Sequence, residues 1–258
     1  MTKGLIKQVF GWERRHQIKE AVLSLRGVRE KERDEITFWR NDIRRYEDWF
    51  EGRRTLWDVP PSQGLPELRI EKRFDRRSNA LITYAQNSKR YQQALDVDSA
   101  YFKGRRVLDV GCGPLGFLAS FDDCERYGVD PLIGEYEALG YPLGKVPIKF
   151  EASPAEALPF QDGFFDAVIS VNALDHVESF EDAVCEIARV TKRGGEFICS
   201  LNYREVPTPT EPEVFDEGRV RSAFAGKFTG APCREETSDE LMKEGVVKRV
   251  LWRTLRAE

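Results

Sequence analysis

Val107-Leu-Asp-Val-Gly-Cys-Gly-Pro-Leu-Gly116 is the stretch that decides the fold. Apolar residues alternating with an acid run into Gly111, Gly113 and Gly116 and then into the apolar segment Phe117-Leu118. That pattern predicts a buried strand, a tight turn and a helix N-terminus. Glycine permits the turn and lets the main chain approach a ligand closely. Pro114 suits a first helical turn, where its missing N–H costs nothing. The spacing GxGxxG is shared by several folds that hold a nucleotide-containing cofactor.

Downstream, strands alternate with helices. The strand candidates are Arg106–Val110, Arg126–Val129, Ile148–Glu151, Phe165–Val171 and Glu196–Leu201, with the clearest helix at Phe180–Thr191. This order predicts an α/β fold, a Rossmann-like doubly wound, mostly parallel sheet with both faces covered. The tail adds a helix near Asp216–Phe224 and two strands, Lys227–Arg234 and Val246–Leu255, with no clear helix between them. They complete a seven-stranded sheet with an antiparallel edge. Upstream, Ile18, Val22 and Leu25, then Ile36, Trp39, Ile43, Tyr46 and Phe50, recur at helical spacing. Pro60-Pro61 and Gly64 interrupt, and a further helix is expected over Asn79–Leu95. Residues 1–78 therefore read as a helical N-terminal extension, and 79–258 as the cofactor-binding domain.

The 258 residues are 41% hydrophobic and 33% charged, enough for a packed core under a well-solvated surface. No apolar run reaches the roughly 18 residues of a membrane span, and the N-terminus lacks a secretory pattern. Five cysteines without CxxC spacing point to reduced thiols and a cytoplasmic protein. The net charge of −4 hides an asymmetry, because residues 1–78 carry 19 Lys and Arg against 14 Asp and Glu. No nucleic-acid motif is present. Met1–Trp12, with Leu5, Ile6, Val9, Phe10 and Trp12 against Lys3 and Lys7, could touch a membrane surface as an amphipathic helix.

Two acids sharpen the reading of the turn. Asp130, in Tyr127-Gly-Val-Asp-Pro131, ends the second strand, where a carboxylate accepts hydrogen bonds from both hydroxyls of a ribose. Asp109 stands two residues before the first glycine, where a pyrophosphate would be repelled and a cationic ligand favoured. Leu108-Asp-Val-Gly-Cys-Gly-Pro114 resembles the first motif of class I S-adenosylmethionine-dependent methyltransferases. Ala155-Glu-Ala-Leu-Pro-Phe-Gln-Asp-Gly-Phe-Phe-Asp166, Val168–Val177 and Lys192-Arg-Gly-Gly-Glu-Phe197 resemble their later blocks, in the family's order. The resemblance covers about residues 80–255 and implies that S-adenosyl-L-methionine is the cofactor. It also implies cofactor-binding residues at Asp109, Gly111, Cys112, Gly113, Asp130, Pro131, Ala155, Glu156 and Asn172. Two positions depart from the family pattern. Pro154 replaces the acid that often meets adenine, which leaves that role to the main chain around Ala155, and Leu115 lengthens the turn by one residue.

Methyl transfer to a hydroxyl benefits from a general base. His176, in Asn172-Ala-Leu-Asp-His-Val177 after the fourth strand, is the candidate, with Asp175 to orient it or act alone. A packing role against the cofactor is the rival reading of His176, and His16 reads as a surface residue. No metal set is expected, since no acids or cysteines cluster with His176 in sequence. Acceptor choice falls to two segments. One is residues 1–78, with Trp39, Arg40, Arg44, Arg45, Trp49, Arg53, Arg54, Trp57, Arg73, Phe74, Arg76 and Arg77. The other is the proline-stiffened Arg204–Glu213. Glu35-Ile-Thr-Phe-Trp-Arg40 ahead of the glycine turn resembles methyltransferases that serve bacterial surface-polysaccharide pathways, which implies a saccharide or other small-molecule acceptor and O-methylation. The alternatives are a small-molecule N-methyltransferase, an NAD-dependent oxidoreductase using the same turn, and a cofactor-binding partner without catalysis.

Overall fold

The computed structural model describes residues 28–56 and 75–258. The expectations for Met1–Trp12, His16, Trp57, Pro60-Pro61, Gly64, Arg73 and Phe74 lie outside them. Helix α1 (Val28–Phe50) presents Ile43, Tyr46 and Trp49 at helical spacing, and all three are buried. The next helix is not continuous over 79–95. It divides into α2 (Arg76–Asn87) and α3 (Arg90–Leu95). Ser88 causes the break: its backbone is extended and its Oγ accepts from Arg90 N at 3.2 Å, opening the second helix. Asp75 caps α2 by accepting from Ser78 N at 3.0 Å.

The strands are β1 (Arg106–Val110), β2 (Glu125–Val129), β3 (Lys149–Glu151), β4 (Phe165–Val171), β5 (Thr191–Arg204), β6 (Phe228–Glu236) and β7 (Val246–Arg256). They form one seven-stranded sheet in the order β3-β2-β1-β4-β5-β7-β6. β1 to β5 pair in parallel, and β7 pairs antiparallel with both β5 and β6, giving the antiparallel edge that the tail predicts. Helices α4 (Ile133–Leu139), α5 (Phe180–Val190) and α6 (Glu217–Phe224) flank the sheet. α5 is capped by Ser179 and buries Phe180, Ala183, Val184, Ile187 and Ala188 on one face. A five-residue helix, α7 (Asp239–Lys243), joins β6 to β7 where the sequence showed none; Ser238 caps it and Leu241 is its buried anchor.

Side chains alternate between two cores, one per sheet face. Val107, Ala167, Ile169, Ile198 and Leu251 share a core with Ile43, Tyr46 and Trp49 of α1 and Leu81 and Tyr84 of α2. Leu108, Val110, Val168, Phe197 and Trp252 pack with α5 and α6. The described part of the extension thus shares one core with the sheet.

The largest departure from expectation follows the glycine turn. No α-helix begins there; Phe117–Ser120 make only a short 3-10 turn. Gly116 adopts φ +62, a left-handed conformation that ends helical propagation. The place of the missing helix is taken by α2 and α3, whose Tyr84 and Tyr91 rings lie 6.1 and 5.1 Å from Phe117.

Candidate active site

The carboxyl ends of β1, β2, β4 and β5 open into a cleft of about 1550 Å³. That exceeds the several hundred Å³ typical of a single small-ligand pocket, so it has room for two reactants side by side. α1 lies across one wall. Tyr136 donates to Glu35 Oε1 at 3.1 Å, and Tyr141 donates to the Trp39 carbonyl at 2.9 Å, fastening the helix over the opening.

Gly111, Cys112 and Gly113 line the cleft, as do Asp130, Pro131, Ala155, Glu156, Asn172 and His176. The fold therefore gathers nearly every residue singled out in the sequence. Gly111 N and Cys112 N donate to Val129 O at 2.9 and 3.1 Å, which locks the turn onto the end of β2. The three glycines have different reasons. A Cβ at Gly111 would lie 2.2 Å from Ala173 Cβ, at φ +72. Gly113, at φ +58, has only Trp39 Cζ2 at 3.6 Å and opens toward the cleft. Gly111 thus serves the close approach of the β4 loop, and Gly113 serves an incoming ligand. Gly111→Ala is expected to lower the melting temperature by on the order of 10 °C, from overpacking and backbone strain together. Gly134→Ala, where nothing lies within 4 Å, is the control and should leave it unchanged or slightly raised in a thermal melt.

Asp130 accepts from Gly113 N at 3.1 Å and Leu132 N at 3.0 Å through different oxygens. Each oxygen keeps a lone pair for a further donor. Burial and the nearby Glu35 push its carboxyl up to about 7. Asp109 lies beneath the turn rather than on the cleft wall. It is fully buried beside Tyr91, neither oxygen has a hydrogen-bond partner, and burial followed by the neighbouring Asp130 pushes it up to about 8. Glu156 lines the cleft, and its Oε1 accepts from Glu178 N at 2.7 Å and Ser179 N at 3.1 Å. It braces the β4 loop. Asn172 holds φ +51 with its Oδ1 buried and unpaired.

Leu174–His176 form a 3-10 turn after β4. It places His176 Nε2 3.7 Å from Asp175 Oδ1, so the two adjacent side chains converge where an extended chain would have separated them. Glu211, from the loop after β5, joins them, one ligand-type atom from each lying within 4.8 Å of the others. Asp175 adjoins His176 in the sequence; Glu211 is the acid that the fold adds, through a contact that spacing does not reveal. Buried polar atoms without partners concentrate here: Asn172 Oδ1, both Asp175 oxygens, His176 Nδ1, Ser200 Oγ and Arg204 Nε. Native proteins leave few such atoms unpaired, and a group of them marks a place where a polar ligand completes the network.

Several arginines of the extension lie away from the cleft. Arg40, Arg44, Arg45, Arg53 and Arg54 are exposed and absent from the cleft wall, and Arg45 and Arg53 pair with Asp42 and Asp48 at 2.8 and 2.6 Å. Trp49 is core. From α1 the cleft receives Glu35, Phe38 and Trp39 instead, with Phe38 53% exposed. Among described residues, twelve carboxylates and four arginines line the cleft.

Residues 108–199 match the family model described as "Methyltransferase domain". That segment is similar to methyltransferase domains. An uncharacterized methyltransferase of Mycobacterium avium is 39% identical over 155 residues, which cover 58% of this chain and 61% of that protein. Bacillus subtilis YcgJ, also described as an uncharacterized methyltransferase, is 33% identical over 119 residues, 43% of this chain and 44% of that one. The crystal structure of YcgJ superposes with a TM-score of 0.52 at 19% identity, covering 65% of this chain and 97% of that chain, and shares the fold. The chain thus spans about three-fifths of the length of the Mycobacterium relative that it matches. The matched segment contributes most of β1, all of β2, β3 and β4, the glycine turn, Asp130 and the Asp175–His176 turn; α1 and Glu211 come from outside the matched residues.

Proposed function

We propose that this chain transfers a methyl group from S-adenosyl-L-methionine to a hydroxyl of a saccharide or another small polar acceptor. One observation carries the reading. A single cleft is lined both by the open glycine turn with Asp130 and by Asn172, His176, Ser200 and Arg204, which carry buried, unpaired polar atoms. When bound, the cofactor supplies a methyl group on a positively charged sulfur. Asp130 would accept the ribose hydroxyls, the Gly111–Gly113 main chain would lie against the cofactor's amino-acid end, and Ala155 would border the adenine. Ionised Asp130, on the cleft wall, would suit a cationic ligand.

An NAD reading is disfavoured by the same geometry. A pyrophosphate is held by the N–H groups and dipole of an α-helix that starts at the glycine turn, and here only a four-residue 3-10 turn follows. Ionised Asp130 on the cleft wall would oppose the phosphates.

The acceptor would sit over Asn172, His176 and Ser200. Its proton would leave toward the group made by His176, Asp175 and Glu211, while the closed wall of α1 limits water. A phosphorylated acceptor does not suit a wall dominated by carboxylates. The same wall favours a second reading, a cationic amine acceptor and N-methylation. Incubation of the full chain with methyl-labelled S-adenosylmethionine and fractionated bacterial extract tests both. Label in a base-stable methyl ether of a neutral small molecule or glycan supports the first reading, and label in a methylamine replaces it with the second. Label confined to protein or RNA overturns both.

A further inference from the structure

We propose that Asp175, His176 and Glu211 form a binding site for one divalent metal ion at the acceptor end of the cleft. One ligand-type atom from each side chain lies within 4.8 Å of the others, against the roughly 4.2 Å that spans opposite ligands of an ion held at about 2.1 Å. Small side-chain rotations close that gap.

The second observation is independent of spacing. Asp175 is 1% exposed and both its oxygens lack hydrogen-bond partners. An ionised carboxylate in that position is costly unless a cation meets it. His176 Nδ1 is buried and unpaired in the same group. The surroundings also leave a negative charge over. Asp175 and Glu211 face one arginine, Arg204, whose Nη2 donates to Glu211 Oε1 at 2.7 Å and whose Nη1 bonds the Glu244 carbonyl.

Arg204 and Thr208 hold Glu211 in place, the Thr208 hydroxyl donating to Glu211 Oε2 at 3.1 Å. Such outer hydrogen bonds fix the orientation of a ligating carboxylate and leave lone pairs free for an ion. Glu213 N donates to the Asp175 carbonyl at 3.3 Å, so the loop carrying Glu211 is tied to the turn carrying the other two ligands. One imidazole and two carboxylates suit a divalent ion such as Mn²⁺ or Mg²⁺, with coordination positions left open toward the cleft. Those open positions face the place assigned above to the acceptor, and a hydroxyl bound there would lose its proton more easily. The ion's binding does not depend on that assignment.

The test uses the full chain stripped with a chelator and titrated with Mn²⁺, read by calorimetry and by the loss of the free-ion electron paramagnetic resonance signal. One ion per chain is expected, displaceable by Mg²⁺, with a raised melting temperature. Glu211→Gln and His176→Ala should each weaken binding at least tenfold. Glu211 is partly exposed, so its amide variant should fold even if Asp175→Asn does not. Absence of saturable binding at millimolar Mn²⁺, or binding unchanged in both variants, overturns the proposal. Titration of the wild-type chain with S-adenosylmethionine reads the methyl-transfer reading separately. Ion binding without cofactor binding leaves the metal site standing and removes the other, and the reverse removes the metal site alone.

Discussion

Asp130→Ala is expected to weaken S-adenosylmethionine binding about 100-fold in a calorimetric titration at pH 8, while the chain stays folded. The carboxylate has two duties. It fixes the turn through Gly113 N and the start of α4 through Leu132 N, and it offers its remaining lone pairs to the ribose. Hydrogen bonds to a charged group contribute about 1.5–3 kcal/mol each, so losing the ribose contacts and loosening the turn reaches two orders of magnitude. The same residue predicts a pH dependence. Burial and Glu35 hold the ligand-free carboxyl at about 7. Ribose hydroxyls are donors and prefer the ionised form, so cofactor affinity is full above pH 7 and falls as the pH drops through 7 toward 5. Asp130→Asn should flatten that slope. A wild-type affinity independent of pH between 5 and 8 would contradict the assignment.

His176→Ala is expected to lower kcat roughly 10²- to 10³-fold, within the range for loss of proton transfer, with little change in cofactor affinity. The imidazole stands at the end of β4, its Nε2 3.7 Å from a buried carboxylate and its Nδ1 unpaired. The decisive readout is the split between parameters. A residue that moves the acceptor's proton, directly or through a bound ion, should change kcat and flatten its fall in acid. A residue that only packs against the cofactor should change KM and leave the pH profile alone. An unaltered kcat across the pH range returns His176 to that packing role.

Much of the architecture was legible because strands alternate in burial with period two. β1 and β4 begin and end where the alternation of Val107/Leu108 and Ala167/Val168 between the two cores predicts. The lack of an α-helix after the glycine turn was not legible, because GxGxxG ordinarily opens a helix and nothing local announces that Gly116 turns left-handed. The Ser88 break and the five residues of α7 are likewise set by single capping side chains rather than by periodicity.

In the site, residues close in sequence to the turn and strand ends could be named because the chain itself carries them to the cleft. Glu156 was named for its place, and one of its oxygens is engaged by two main-chain N–H groups that spacing does not announce. Glu35 and Glu211 fell within segments named for the acceptor but were not named as site residues, for the opposite reason. Their contacts, with Tyr136 across 101 residues and with the Asp175 turn across a proline-bearing loop, depend on how distant segments pack. The extension's arginines misled because composition does not say which side of an amphipathic helix faces a ligand. Arg40, Arg44 and Arg45 fall on the exposed side of α1.

The central claim is that the Gly111–Gly116 turn with Asp130 holds an S-adenosyl group rather than a dinucleotide. Calorimetry on the full wild-type chain with S-adenosylmethionine and with NAD, at matched concentrations and pH 8, tests it most directly. The account predicts saturable one-to-one heat with S-adenosylmethionine and none with NAD. Saturable heat with NAD, and none with S-adenosylmethionine, would contradict it.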